Sequence, residues 1–160
     1  MIEPLIRKAA TSDAQSIFDL RIAAINSQCT SHYAAPDLEM WTAGPMSPSF
    51  VNMVEDKAYV AMLGDKVVAS GMIDLESGKI DAVFVLPSLM RQGIGGRMMA
   101  HLEQLARDAG LHQVRLDATL NAAPFYRAEG FTGDVIAKYC TSAGLPLDCI
   151  PMTKELSASA

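Results

Sequence analysis

Gly93-Ile94-Gly95-Gly96, flanked by Arg91 and Arg97, is the stretch of this 160-residue chain whose residue types and spacing most directly suggest chemistry. It follows the apolar run Val83-Phe84-Val85-Leu86 through a corner at Pro87 and opens straight into an amphipathic segment. A glycine-rich turn feeding a helix aims several backbone N–H groups, and the positive end of the helix dipole, at one spot. Glycines carry no Cβ, so an anion can approach the main chain, and the two arginines can add charge-assisted contacts. The expected ligand is a pyrophosphate.

Two common phosphate-binding patterns fit poorly. A P-loop ends in Gly-Lys-Ser/Thr, whereas Arg97-Met98 follow the glycines here, which disfavours an ATP-binding reading. A dinucleotide fingerprint needs a third glycine, and Met98 stands at that offset. Elsewhere, Cys29 and His32 lie three residues apart, a spacing that raises a thiol nucleophile. No third group accompanies them to orient the imidazole, so a buried thiol is the simpler reading. His32, Tyr33, Asp37, Glu39 and Trp41 combine an aromatic wall with carboxylates able to attract a cationic amine, and read equally as a packed loop. His101, on the polar side of a helix, and His112, before a strand, read as exposed.

These residues must be positioned by a globular scaffold. Half the residues are hydrophobic and 19% are charged, which excludes a disordered chain, and the length suits one domain over residues 1–160. A net charge of −5 argues against nucleic acid or an anionic membrane as partner. No apolar run approaches the roughly 20 residues that span a bilayer. The start lacks a signal-peptide layout, and three cysteines (Cys29, Cys140, Cys149) show no metal-like spacing. Cytoplasmic location and no metal are the expectations. The ten methionines read as pliable core filler.

Local patterning predicts a strand over Leu5–Ala9, then a helix capped by Ser12 with Gln15 and striped by Ile17, Leu20, Ala24 and Ile25, ending near Gln28. Short helices are expected over Asp37–Trp41 and Ser49–Glu55. Ala58–Leu63, Lys66–Asp74 and Lys79–Leu86 form a meander through turns at Gly64-Asp65 and Glu76-Ser77-Gly78. Ile94, Met98, Leu102, Leu105 and Ala109 stripe the next helix, which Gly110 ends. Gln113–Ala118 completes a βαβ unit with a parallel pair. A short helix over Pro124–Glu129 follows, then a last meander from Phe131 with strands Val135–Tyr139 and Cys149–Lys154.

Met90-Arg91-Gln92-Gly93-Ile94-Gly95 resembles the acetyl-CoA motif of the GNAT superfamily of acyl-CoA N-acyltransferases, Gln/Arg-x-x-Gly-x-Gly/Ala, with Met90 departing at the first position. Asn121-Ala122-Ala123-Pro124-Phe125-Tyr126-Arg127-Ala128-Glu129-Gly130-Phe131 resembles the family's late helix motif, and with the flanking elements the likeness covers nearly the whole chain. It implies an α/β (mixed α+β) single-domain fold: a mixed, mostly antiparallel sheet with one central parallel pair and helices on both faces, in the order β-α-α-β-β-β-α-β-α-β-β.

The resemblance also implies chemistry. The parallel strands would splay just after Phe84-Val85, the pantetheine arm would lie in the gap, and the Val85 N–H would face the thioester carbonyl. Arg91, Gln92, Gly93, Ile94, Gly95, Gly96 and Arg97 would hold the pyrophosphate, with Asn121 and Phe125 beside the cofactor. Asp81 stands four residues before Val85, where many members carry a glutamate base acting directly or through water. By strand alternation Asp81, Val83 and Val85 share a face. Asp81 also reads as a solvated residue at a strand start. Tyr126 falls where the family often places the acid that serves the CoA sulfur, and reads otherwise as aromatic packing. His32, Tyr33 and Trp41 lie in the region that covers the acceptor. The expected activity is acetyl transfer from acetyl-CoA, as co-substrate, to a primary amine of a small molecule or peptide by direct attack in a ternary complex. The alternative is a low-turnover acyl-CoA-binding sensor. A homodimer is common in such folds.

Overall fold

Ile17, Leu20, Ala24 and Ile25 recur at helical spacing, and all four are buried along one side of α1 (Ala14–Gln28). The computed structural model describes residues 3–141 and 144–157. β1 (Leu5–Lys8) precedes α1, and two further helices, α2 (Ala35–Thr42) and α3 (Pro48–Lys57), precede β2 (Ala58–Leu63), one helix more than the family order leads one to expect. The chain continues as β3 (Lys66–Asp74), β4 (Lys79–Val85), α4 (Ile94–Asp108), β5 (Gln113–Thr119), α5 (Ala123–Ala128), β6 (Ala137–Cys140) and β7 (Pro146–Glu155). The seven strands form one sheet in the order β1-β2-β3-β4-β5-β7-β6, antiparallel throughout except for the β4–β5 pair.

Helices cover both faces. α1 and α3 pack Ile17 and Val54 on Val60 and Met72, and α4 packs Met98, Met99, Leu102 and Ala106 on Val68, Ile80, Val114 and Met152 of the opposite face. Each such fully buried side chain contributes about 1.5–3 kcal/mol by leaving water. The buried stripe of α4 differs from the expected one at its end, because Met99 and Ala106 face the sheet while Ala109 is the exposed C-cap before Gly110 at φ +83°. Glu103, also buried on α4, is satisfied by Lys154 Nζ at 2.8 Å.

Several expectations are corrected. The capping contact before α1 belongs to Asp13, whose Oδ2 accepts from the Ala10 N–H at 2.8 Å and from Arg7, while the Gln15 amide bonds Asp19 instead. The last strands lie later or run longer than expected: Phe131 is a buried ring rather than a strand start, and Val135 and Ile136 are exposed before β6. His101 is half-buried, its ring 5.3 Å from Tyr59, while His112 is exposed as expected. The Cys140 side chain lies outside the described residues.

One irregularity shapes everything downstream. Ser70 pairs with Phe84 but Met72 pairs with Asp81, so Ala82 and Val83 together oppose Gly71, a β-bulge with Ala82 at φ +53°. The extra residue reverses the alternation: Ile80, Val83 and Val85 all face α4, so Asp81 shares no face with Val83 and Val85. Gly71 lets α4 pass close over the bulge, since a Cβ there would meet Leu102 Cδ1 and Met98 Cγ at 3.0 Å.

Candidate active site

β4 and β5 are in register only at Lys79 opposite Arg115, so the parallel pair opens almost at once, earlier than the expected splay at Phe84-Val85. The Leu86 N–H donates to Val68 O at 2.8 Å, which points the Leu86 amide at β3. Amides alternate along an antiparallel strand, so the Val85 N–H points the other way, into the gap toward β5. Among the described residues no ladder partner meets it there.

Beyond Val85 the chain bends through a short 3-10 turn at Pro87–Leu89 into Arg91 (φ +64°) and Gly93 (φ +82°). Two left-handed residues spaced this way gather amides into a concave nest, and the arginine holds its conformation at a cost of about 1 kcal/mol or more. Gly93 is the N-cap of α4 with no side-chain cap, and the first helical bond is Arg97 N–H to Gly93 O at 3.1 Å. The amides of Ile94, Gly95 and Gly96 therefore have no helical partner and are free for an anion.

These features border one cavity of about 450 Å³. Phe84, Val85, Arg91, Gly93, Ile94, Gly95 and Gly96 line one side, and Asn121, Phe125 and Tyr126 the other, with Trp41 at the α2 end. Gln92 is exposed on the turn outside it. Arg97 faces outward, 3.7 Å from Glu3. His32 is exposed beyond the C-terminus of α1. The Tyr33 hydroxyl is spent on the main chain, donating to Asp148 O and accepting from the Leu120 N–H at 3.0 Å, which ties the ends of β5 and β7 together. A second, shallower groove of about 670 Å³ between α1 and the β2–β3 turn is bordered by exposed Asp19, Asp65 and Lys66.

The ionisable groups are tuned mainly by burial. Tyr126, on α5, is enclosed by Phe125 (5.1 Å) and Phe131 (5.8 Å). Burial pushes its hydroxyl well above the usual phenol range, the Asp81 carboxylate adds to the shift, and among the described residues no group hydrogen-bonds that hydroxyl. Asp81 keeps water on one side, yet the protein packed on its other sides raises its carboxyl; Lys79 opposes this and Asp117 reinforces it. The two groups lie within electrostatic reach of each other. Burial lifts the Cys29 thiol to about 11, and it donates to Asn121 Oδ1 at 3.3 Å. That contact orients the asparagine at the cavity wall and leaves no thiolate to act as nucleophile.

Residue patterns alone pass over part of this wall. Ala24, Ile25 and Gln28 of α1 line the cavity beside Cys29. Their spacing of one and three residues signals a shared helical face, but only the packing of α1 against Phe84 turns that face to the gap. Among the described residues no three His, Cys, Asp or Glu side chains gather as a metal site, and no helix is long and apolar enough to cross a membrane.

A family profile described as an acetyltransferase (GNAT) domain matches residues 29–156. A Bacillus subtilis protein named as the uncharacterized N-acetyltransferase YjcF is 33% identical over 94 residues, a stretch covering 58% of this chain and 66% of that protein. The fold is similar to a GCN5-related N-acetyltransferase from Rhodopseudomonas palustris, with a TM-score of 0.90 and 23% identity over 98% of each chain. It is also similar to the PaiA N-acetyltransferase of Thermoplasma acidophilum in complex with coenzyme A, with a TM-score of 0.75 and 16% identity over 97% of this chain and 100% of that one.

Proposed function

The chain belongs to the GNAT family of acetyltransferases, and on that footing we propose that it moves the acetyl group of acetyl-CoA to a primary amine by direct attack within a ternary complex. The observation that carries this reading is the unpaired Val85 amide, aimed into an open strand gap that continues into the free N–H groups of Ile94, Gly95 and Gly96. A thioester and a pyrophosphate joined by an extended arm match those two donor sets. The coenzyme A held by the Thermoplasma relative supports the same cofactor class.

In this mechanism the Val85 N–H donates to the thioester oxygen as negative charge develops on it, a contribution of about 3–4 kcal/mol in comparable oxyanion holes. The amine nitrogen attacks the thioester carbon, the carbon–sulfur bond breaks, and Tyr126 Oη donates its hydrogen bond to the leaving thiolate. A phenol that keeps its proton across the neutral range is always ready for that role. Asp81 takes the proton of the attacking amine. Asp81 and Val85 stand opposite Met72 and Ala69, three residues at about 3.3 Å each, so the Asp81 Cα lies roughly 10 Å along the strand from Val85 and one or more waters carry the proton between them. The raised carboxyl pKa strengthens it as a base. Gly93, Gly95 and Gly96 hold the pyrophosphate with Arg91, and a cytoplasmic site of action supplies the cofactor.

Calorimetric titration with acetyl-CoA, run beside ATP, tests the reading. Saturable binding of acetyl-CoA alone, followed by amine-dependent release of free CoA thiol, is expected. Absence of acetyl-CoA binding overturns it.

A further inference from the structure

Beside the cofactor cavity, on the face of β4, β5, β7 and β6 turned away from α4, lies a polar floor. Its charges are partly matched: Lys79 Nζ meets Asp117 Oδ2 at 2.5 Å. Four charges on that side have no ionic partner among the described residues: Asp81 on β4, Arg115 on β5 and Glu155 on β7, all exposed, and Arg21 on α1, the one that is half-buried.

Arg21 is half-buried, and its Nη2 donates to Trp41 O at 2.9 Å, which pins the guanidinium at the C-terminal end of α2, where Trp41 also borders the cavity. It lies three, four and seven residues before Ala24, Ile25 and Gln28, all cavity-lining, so it extends that helical face by one turn. Tyr139 of β6 lies within electrostatic reach of both Asp81 and Arg21: burial raises its hydroxyl, Asp81 raises it further and Arg21 works the other way. Both charges therefore act on one phenol, while the contact that ties Arg21 to the cavity is its bond to Trp41. The guanidinium is held by the Trp41 carbonyl and lies 6.0 Å from the centre of the Phe18 ring, neither of which carries a negative charge, and the donors left over in its planar fork suit a carboxylate held by two bonds.

We infer that the amine acceptor carries a carboxylate of its own, seated on Arg21, with its ammonium drawn to Asp81. The acceptor is then a free amino acid or a similar amino-carboxylate. A polyamine would set a second cation against Arg21, and a peptide amine brings no carboxylate near its nitrogen. This inference rests on the acetyl-transfer reading above.

The test measures CoA-thiol release with three matched acceptor sets: free L-amino acids, their carboxamides, and the amines left by removing the carboxyl group. Wild type, Arg21→Gln and Arg21→Lys are compared, with circular dichroism checking each fold. At least one amino acid is expected to exceed both of its neutral-end analogues in kcat/KM by about tenfold or more, the worth of a charge-assisted hydrogen bond. In Arg21→Gln that preference falls to within about twofold, mainly through KM, while the carboxamide rates hold, and Arg21→Lys restores part of it. A role limited to capping α2 would lower all three acceptor sets together and leave the ratio unchanged, which overturns the inference. So does turnover of amines that is indifferent to the carboxylate, or no turnover of any amino acid by protein that binds acetyl-CoA. If Arg21→Gln fails to fold, the wild-type ratio and Arg21→Lys still decide. Calorimetry on the same preparation separates the two levels: loss of acetyl-CoA binding would fail the acetyl-transfer reading itself.

Discussion

Replacing Gly95 by alanine separates the two duties of the glycine turn, building a helix and holding an anion. Gly95 sits in the first turn of α4 with ordinary helical backbone, so alanine favours the helix by up to about 1 kcal/mol. The added Cβ would stand 3.1 Å from Phe125 Cζ and 3.6 Å from Val85 Cγ2, so the ring must retreat by a few tenths of an ångström. Phe125 is 37% exposed and can do so. The two effects nearly cancel, and the melting temperature is expected to move by no more than about 4 °C. Binding responds differently, because the methyl group protrudes between Phe125 and Val85 where a phosphate chain must lie against the main chain. Holding that chain off its amides forfeits one charge-assisted hydrogen bond, about 1.5–3 kcal/mol. The Kd for acetyl-CoA should therefore rise roughly 10- to 150-fold by calorimetry. Gly96→Ala is the control: its Cβ points at Glu129 Oε1, 3.4 Å away on a flexible side chain, and affinity should change less than about threefold. Wild-type affinity in Gly95→Ala, or equal losses in both variants, would refute the assignment of the pyrophosphate to this turn.

Tyr126→Phe removes a hydroxyl that borders the cavity and that no described group bonds, so stability should hold while kcat for acetyl transfer falls about a hundredfold, with acetyl-CoA affinity unchanged; unchanged turnover rejects the donor role. Because the folded-state pKa of Asp81 is raised, wild type loses stability as pH climbs from the ordinary carboxylate range through that raised value. Asp81→Asn should thus melt higher than wild type at neutral pH, the difference vanishing in acid, and should lack the acidic limb that wild type shows in kcat/KM above the usual carboxylate range. With its thiol near 11, Cys29 is ionised in only about one molecule in a thousand at pH 8. Peptide mapping after iodoacetamide should find it unmodified in the native protein and alkylated in denaturant.

The strands and helices that frame the site are legible in the sequence where a strong local signal stands at each end. Ala58–Leu63 and Lys66–Asp74 coincide with β2 and β3, since Gly64-Asp65 must turn the chain and both flanks are apolar. The glycine turn and the first residue of α4 are equally plain. The late segments are not, because Val135 and Ile136 look like strand residues yet lie exposed before β6. Strand propensity there is overruled by the register that Ala137 and Cys149 adopt.

By itself the sequence determined the order of the elements, the N-terminal amides of α4 and the candidate groups Asp81 and Tyr126, all of which follow from local spacing and from two motifs of matching order. Which face each group serves was decided only by the tertiary structure. The bulge at Ala82 lies opposite Gly71, where α4 crosses from a distant part of the chain, and it turns Asp81 away from the face shared by Val83 and Val85. The opening of β4 from β5 likewise depends on what packs against each strand, and so does the bond that holds Arg21 to Trp41 at the cavity edge. No local pattern encodes such relations, because each arises from the balance of packing among elements that the sequence keeps apart.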